Sequence, residues 1–169
     1  MKVIVTSNDR RPAREELAGK TADILKLLKN RQSPETFDRM STLSDILAAN
    51  TPLYYLAPPT AEQLADWVET LYKFIENRSE PISVKLVPFP RRGGSLLLTN
   101  CADAPFLIHT IQLCLNRRHI HFRVVTHPIF RTGRRDGELT SLEPIEGAGE
   151  AESLAVIELE KAPESLMQG

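Results

Sequence analysis

Between Asn100 and Asp136 the chain gathers most of the side chains that could do chemistry. They are its two cysteines, Cys101 and Cys114, its four histidines, His109, His119, His121 and His127, and Asp103 among arginines. Cys101 precedes a predicted helix, whose positive end would favour a thiolate. A cysteine nucleophile also needs a positioned base, and no spacing here supplies one. Cys114 falls in the middle of the same predicted helix and reads as core. The histidines and cysteines lack CxxC or HExxH spacing. His121 and His127, six apart, would share one face of a strand, but Arg123 shares it too, so no metal is expected. GxGxxG, GxxxxGK[ST] and GxSxG are absent, and no catalytic residue is assigned.

The stretch Asn100-Cys101-Ala102-Asp103-Ala104-Pro105-Phe106 joins an apolar run to a helical pattern. Asp103 is a good N-cap, and Pro105 suits a first turn, where its missing N–H costs nothing. Two readings stay open. In one, Asp103 only caps the helix. In the other, the free N–H groups at the helix start hold a carboxylate or phosphate, while Asp103 and Asn100 hold an amine.

A basic run follows, with Arg117, Arg118, Arg123, Arg131, Arg134 and Arg135 before the first acid, Asp136. It could track a phosphate backbone. However, it spans a helix end, a strand and a turn, and RHIHFRVV lacks the aromatic signature of an RNA-recognition sheet. A solvated or subunit-facing surface is the favoured reading, and nucleic-acid binding is disfavoured.

The elements that must position these groups can be read from periodicity. Residues 1–50 are helical and polar, with Leu17, Ile24, Leu25 and Leu28 at helical spacing. Ser33-Pro34 starts a second helix there, and Ser44-Asp45 suggests a further short one. The prolines of residues 50–59 mark a connection. Thr60-Ala61-Glu62-Gln63 matches the capping box. It opens a helix whose stripe is Leu64, Val68, Leu71 and Ile75, widened by Trp67, Tyr72 and Phe74. Strands follow at Ile82–Phe89, an edge strand by its prolines, and at Ser95–Thr99 after a Gly93-Gly94 turn. The next helix should turn Phe106, Leu107, Ile111, Cys114 and Leu115 to the core. Ile120–Arg131 reads as one long strand, with Ile120, Phe122 and Val124 on one face. Asp136-Gly137 makes a tight hairpin into Glu138–Glu143. Glu146–Glu152 reads as a flexible acidic loop, Ser153–Glu160 as a last strand, and Ala162–Gly169 as the start of a cut-off helix. The order predicts an α+β, ferredoxin-like antiparallel sheet with helices on one face.

Composition bounds the class. The chain has 169 residues, 41% hydrophobic and 25% charged, with net charge −1. That suits a globular chain with its own core, and gives no overall field toward nucleic acid or membrane. The apolar stretch Val3–Val5 is too short for a secretory signal, no run approaches a membrane span, and unpaired cysteines fit a reducing compartment. A cytoplasmic location is expected.

The stretch CADAPFLIHTIQLCLNRRHIHFRVVTHPIFRTGRRDGELTSLEP resembles the N-terminal region of the large bacterial NAD-specific glutamate dehydrogenases. That region carries an ACT-like domain with a signature close to N-D-D-M-P-F-L-V-D-S, a helix ending L-N-R-R, a strand with H-P, and a basic hairpin. Cys101 to Leu107 matches the first part, Leu115-Asn116-Arg117-Arg118 the second, and His127-Pro128 the third. Cys101-Ala102 replaces two polar positions of the pattern, and His109 stands where the family often has an acid.

The helical residues 1–50 would be an extension, and the resemblance implies an ACT-like domain over 51–169. It implies a regulatory, amino-acid-sensing or assembly role that is non-catalytic by itself. NAD and the oxidative deamination of glutamate would belong to the full-length enzyme, with no cofactor in this chain. ACT domains pair side by side and bind amino acids near the loop between first strand and first helix. Here that puts Asn100, Cys101, Ala102, Asp103, Ala104, Pro105 and Phe106 at the ligand. The expected partners are a small amino-acid effector and other domains of the same enzyme or further copies of the chain. A stand-alone interaction module without a ligand is the alternative.

Overall fold

The computed structural model describes residues 10–89 and 94–160; for residues 10–18 it describes the backbone alone. The expected turn at Gly93, the helix start at 162–169 and the side chain of Leu17 lie outside the described residues. The chain divides into two compact units, residues 1–72 and 73–169.

The first unit is helical: α1 Arg10–Arg31, α2 Pro34–Asn50, α3 Leu53–Leu56 and most of α4 Ala61–Glu76. Ser33 caps α2 by accepting from the Thr36 N–H, with Pro34 at the first helical position, as its sequence requires. The short helix expected at Ser44 does not exist on its own. Ser44 is buried in mid-α2, between Leu43 and Ile46, because the apolar spacing Met40, Leu43, Leu47 continues through it. The capping box at α4 forms as written. Gln63 N–H donates to Thr60 Oγ1 at 3.2 Å, and Thr60 N–H donates to Gln63 Oε1 at 3.1 Å. Ile24 and Leu28 of α1, Leu43 and Leu47 of α2, and Leu64, Val68 and Leu71 of α4 are all buried. Arg31 ties α1 to α4 through Asp66 at 2.8 Å and Glu69 at 3.2 Å.

The second unit is a six-stranded sheet with α5 on one face. Its strands are β1 Ile82–Phe89, β2 Gly94–Ala102, β3 Phe122–Thr126, β4 Ile129–Arg135, β5 Glu138–Glu143 and β6 Glu150–Leu159, and α5 is Leu107–Arg117. The order is β1-β2-β6-β4-β5, with β3 also on β6, and every pairing is antiparallel. β2 and β3 therefore run parallel with β6 between them, joined by α5. That is the split βαβ of the ferredoxin-like folds, so the α+β expectation holds. β1 sits at an edge, where its Pro88 removes no needed ladder donor.

Three differences from the sequence pattern have physical causes. The long strand expected over Ile120–Arg131 is two strands, broken at His127-Pro128, where proline has no N–H to give. The Pro128 carbonyl instead accepts from Leu154 N–H at 3.1 Å. A bulge between Phe122 and Val124 reverses the alternation, so Val125, not Val124, joins Phe122 and Ile120 beneath α5. The loop expected over Glu146–Glu152 is a loop only to Gly149. β6 begins at Glu150 and is buried from Glu152 onward, since the central strand needs both its neighbours to satisfy its backbone. The Asp136-Gly137 hairpin is as expected, with φ of 53° and 88°.

Candidate functional site

Strand alternation divides β2 between the two faces of the sheet. Ser95, Leu97, Thr99 and Cys101 lie on the α5 face, because Leu97 packs beneath α5 with Ile157, Leu159 and Leu86. Leu96, Leu98, Asn100 and Ala102 lie on the opposite face.

On that opposite face the central feature is Glu152, which is 1% exposed. Arg134 grips its carboxylate with two bonds, Nε to Oε1 at 2.6 Å and Nη2 to Oε2 at 3.0 Å. Arg78 Nη2 donates to Oε1 at 2.9 Å, Thr132 Oγ1 to Oε1 at 2.8 Å, and Asn100 Nδ2 to Oε2 at 3.1 Å. The arginines are held in turn: Arg134 donates to the carbonyls of Ile75 and Gly137, and Arg78 to that of Pro81. Burial alone would raise the Glu152 pKa. The hydrogen bonds from Arg134, Thr132 and Asn100, with the Arg134 charge, outweigh it and hold the carboxyl below its ordinary range. This closed network is structural, since each carboxylate lone pair that could meet a ligand is already used. Periodicity hid it, because a run of glutamates beside Gly147 and Gly149 looks like a solvated loop.

The α5 face holds the other cluster. Cys101 of β2 and Ser153 of β6 are register partners. His127, at the β3–β4 break, bonds through Nε2 to Ser153 Oγ at 2.5 Å. Burial lowers the His127 pKa, and the Asp103 charge opposes it. Burial pushes the Cys101 thiol up; Arg78 opposes, while Asp103 and Glu152 add to the rise. The lowered thiol expected from a helix end is therefore overturned, because Cys101 sits inside a strand. Cys114 is exposed rather than core, since α5 packs through Ile108, Ile111 and Leu115.

Beyond Ala102 the chain makes a turn before the helix. Leu107 N–H bonds the Ala104 carbonyl at 3.4 Å, and Phe106 adopts φ 63°, ψ 7°. With Pro105 second and a positive φ third, this is a type II turn. Hence Asp103 does not cap α5, and Pro105 is not in its first turn. Phe106 holds the N-cap position without any side-chain cap. Its ring, expected in the core, is 78% exposed, because the left-handed backbone directs it away from the sheet. A bulky residue in that conformation is strained. The first helical bond runs from Thr110 N–H to the Phe106 carbonyl at 2.9 Å. The amides of Ile108 and His109 are left without an intrahelical partner.

The seven residues singled out from sequence thus separate. Asp103, Ala104, Pro105 and Phe106 are exposed around the open start of α5. Cys101 lies behind them on the same face. Asn100, fully buried, belongs to Glu152 on the other face, and Ala102 shares its parity. The basic run also disperses. Arg134 serves Glu152, Arg131 donates to the carbonyls of Ile145 and Gly149, and Arg123 pairs with Glu158.

A split βαβ sheet with its helix on one face is the ferredoxin-like arrangement. Residues 96–168, from β2 onward, match the family model of the glutamate dehydrogenase ACT1 domain. That segment is an ACT-like domain of the kind found in the N-terminal region of glutamate dehydrogenase. No curated protein and no solved structure matches the chain. Among the described residues, no helix is long and apolar enough to cross a membrane, and no group of His, Cys, Asp or Glu could hold a metal ion.

Proposed function

We propose that this chain is a regulatory piece of a glutamate dehydrogenase-like enzyme that senses a free amino acid and catalyses nothing itself. The reading rests on the start of α5, where no side chain caps the helix, and on Asp103, exposed in the turn that leads into it. The amides of such a helix start, with its positive end, suit an α-carboxylate, and Asp103 suits an α-ammonium. Binding that differs between two assembly states would bias an attached catalytic domain. NAD and the deamination of glutamate belong, on this reading, to other parts of a longer cytoplasmic enzyme. Isothermal titration of the chain with each free amino acid tests it. Saturable heat for at least one, lost in Asp103→Ala, is expected; no heat from any of them would sink the sensing role.

A second reading, assembly without a ligand, is favoured by β1. This edge strand leaves Ile82 at 59% and Val84 at 63% exposure, apolar side chains at an unpaired strand edge. Sedimentation velocity across a concentration series separates the two. Self-association in the absence of any amino acid, with no change on adding one, favours assembly alone.

A further inference from the structure

We propose that copies of this chain join head to tail, the acidic loop between β5 and β6 of one copy seating on the outer face of α5, near its C-terminal end, in the next. The two surfaces are complementary. At the end of α5, Arg117, Arg118 and His119 are exposed, with His121 just beyond. Leu113, one helical turn before Arg117 on the same side of the helix, is 43% exposed. Other arginines of the basic run are committed, Arg123 to Glu158 and Glu160, and Arg134 to Glu152. Among the described residues, neither Arg117 nor Arg118 has an ion pair. The negative end of the helix favours cations there. It does not account for a large apolar side chain left open beside them.

The loop carries the opposite charge around a similar anchor. Glu143, Glu146 and Glu150 are exposed on either side of Ile145, itself 41% exposed. Among the described residues, none of these three glutamates has an ion pair. The shape of the loop is fixed from within. Gly147 N–H donates to the Pro144 carbonyl at 2.9 Å. Arg131 donates from Nε to the Ile145 carbonyl at 3.1 Å and from Nη1 to the Gly149 carbonyl at 3.3 Å. A loop held in this way loses little further freedom when a partner arrives. The Arg131 guanidinium meets carbonyls, and three carboxylates against one cation leave the loop acidic.

Position argues for a second copy. The loop leads into β6 at Glu150, whereas the far end of β6 lies beside α5. There Glu160 N–H donates to the His121 carbonyl at 3.0 Å, and Leu159 packs with Leu115. The ten residues of β6 separate the two ends, about 30 Å of extended chain. The loop therefore cannot reach the arginines of its own copy. A contact between two different patches is heterologous, and it closes into a ring or propagates as a chain. This association does not depend on amino-acid sensing, and either can fail alone.

The test is sedimentation velocity of the whole chain over a concentration series, at about 10 mM and about 150 mM salt, between which the Debye length falls from about 30 Å to about 8 Å. Self-association that weakens with salt is expected. Arg117→Glu with Arg118→Glu makes both patches acidic, and Glu143→Lys with Glu146→Lys makes both basic. Each variant alone is expected to associate about ten-fold or more weakly than wild type. All four positions are exposed, so neither variant disturbs the core. Mixed one to one, the two should regain association, because each supplies the patch that the other lacks. A mixture no stronger than its components overturns the proposal. Association unchanged in both variants also overturns it, and points to another surface such as the β1 edge. A chain that stays monomeric at every concentration and salt overturns it outright.

Discussion

Two buried glutamates on β6 show how much a single carboxylate depends on its neighbours. Glu152 is fully hydrogen-bonded, whereas among the described residues neither oxygen of Glu158 has a hydrogen-bond partner, and its ion pair with half-exposed Arg123 spans 3.6 Å. Removing Glu152 strands Arg134 and Arg78 without their anion. Glu152→Ala is expected to lose about 3–5 kcal/mol in urea denaturation, the scale for breaking one side of a buried pair. Glu158→Leu removes an unsatisfied charge and is expected to be neutral or to stabilise by about 1–4 kcal/mol; a loss as large as that of Glu152→Ala would contradict the contrast. Because the folded Glu152 pKa is depressed, its contribution is complete above the ordinary carboxylate value of about 4.3 and is lost as pH falls through the lower folded value. Wild type should therefore lose stability in acid more steeply than Glu152→Gln. His127 works in a higher window. Its folded pKa is also depressed, so the unfolded chain binds the proton first, and stability declines as pH falls below about 6.5. A pH series of urea midpoints should show this decline in wild type and not in His127→Asn. Equal slopes would mean that the ring is not held neutral by burial.

At the scale of elements, the parts legible in sequence were those with local causes. The capping box at Thr60, the cap at Ser33 and the Asp136-Gly137 turn need only near neighbours, and all formed as written. Thr60→Ala is expected to lose about 1 kcal/mol. Gly137 has φ +88°, and a Cβ there would sit 2.8 Å from the Arg78 carbonyl. Gly137→Ala should lose more than 1 kcal/mol, since both strain and contact oppose it. What stayed hidden depends on distant partners. The start of β6 is a strand because β2 and β4 pair with it, and no local pattern in an acidic stretch announces that. Helix start signals misled at Asp103-Ala104-Pro105 because proline serves equally well as the second residue of a turn. Only the backbone of Phe106 decided between a capped helix and an open one. Phe106→Gly removes the strain of a positive φ while adding chain entropy to the unfolded state. Its stability should stay within about 1 kcal/mol of wild type, because the two effects oppose each other. A larger loss would show that the exposed ring makes contacts that stabilise the fold.

For the whole molecule, the division into a helical unit and a sheet unit separates what the family match explains from what it does not. The match begins inside β2 at residue 96, so β1 and the helices before it are additions to the matched domain. β1 completes the sheet beside β2 and leaves Ile82 and Val84 exposed on it. The account as a whole stands on one claim, that the open start of α5 receives a free amino acid. The most direct measurement is an amide NMR titration of the chain with each free amino acid in turn. For at least one, the account predicts saturable shifts concentrated on Asp103, Phe106, Ile108 and His109, with His127 following, and Glu152 and the first helical unit unmoved. Shifts that scatter over the molecule, or a spectrum unchanged by every amino acid, would contradict it.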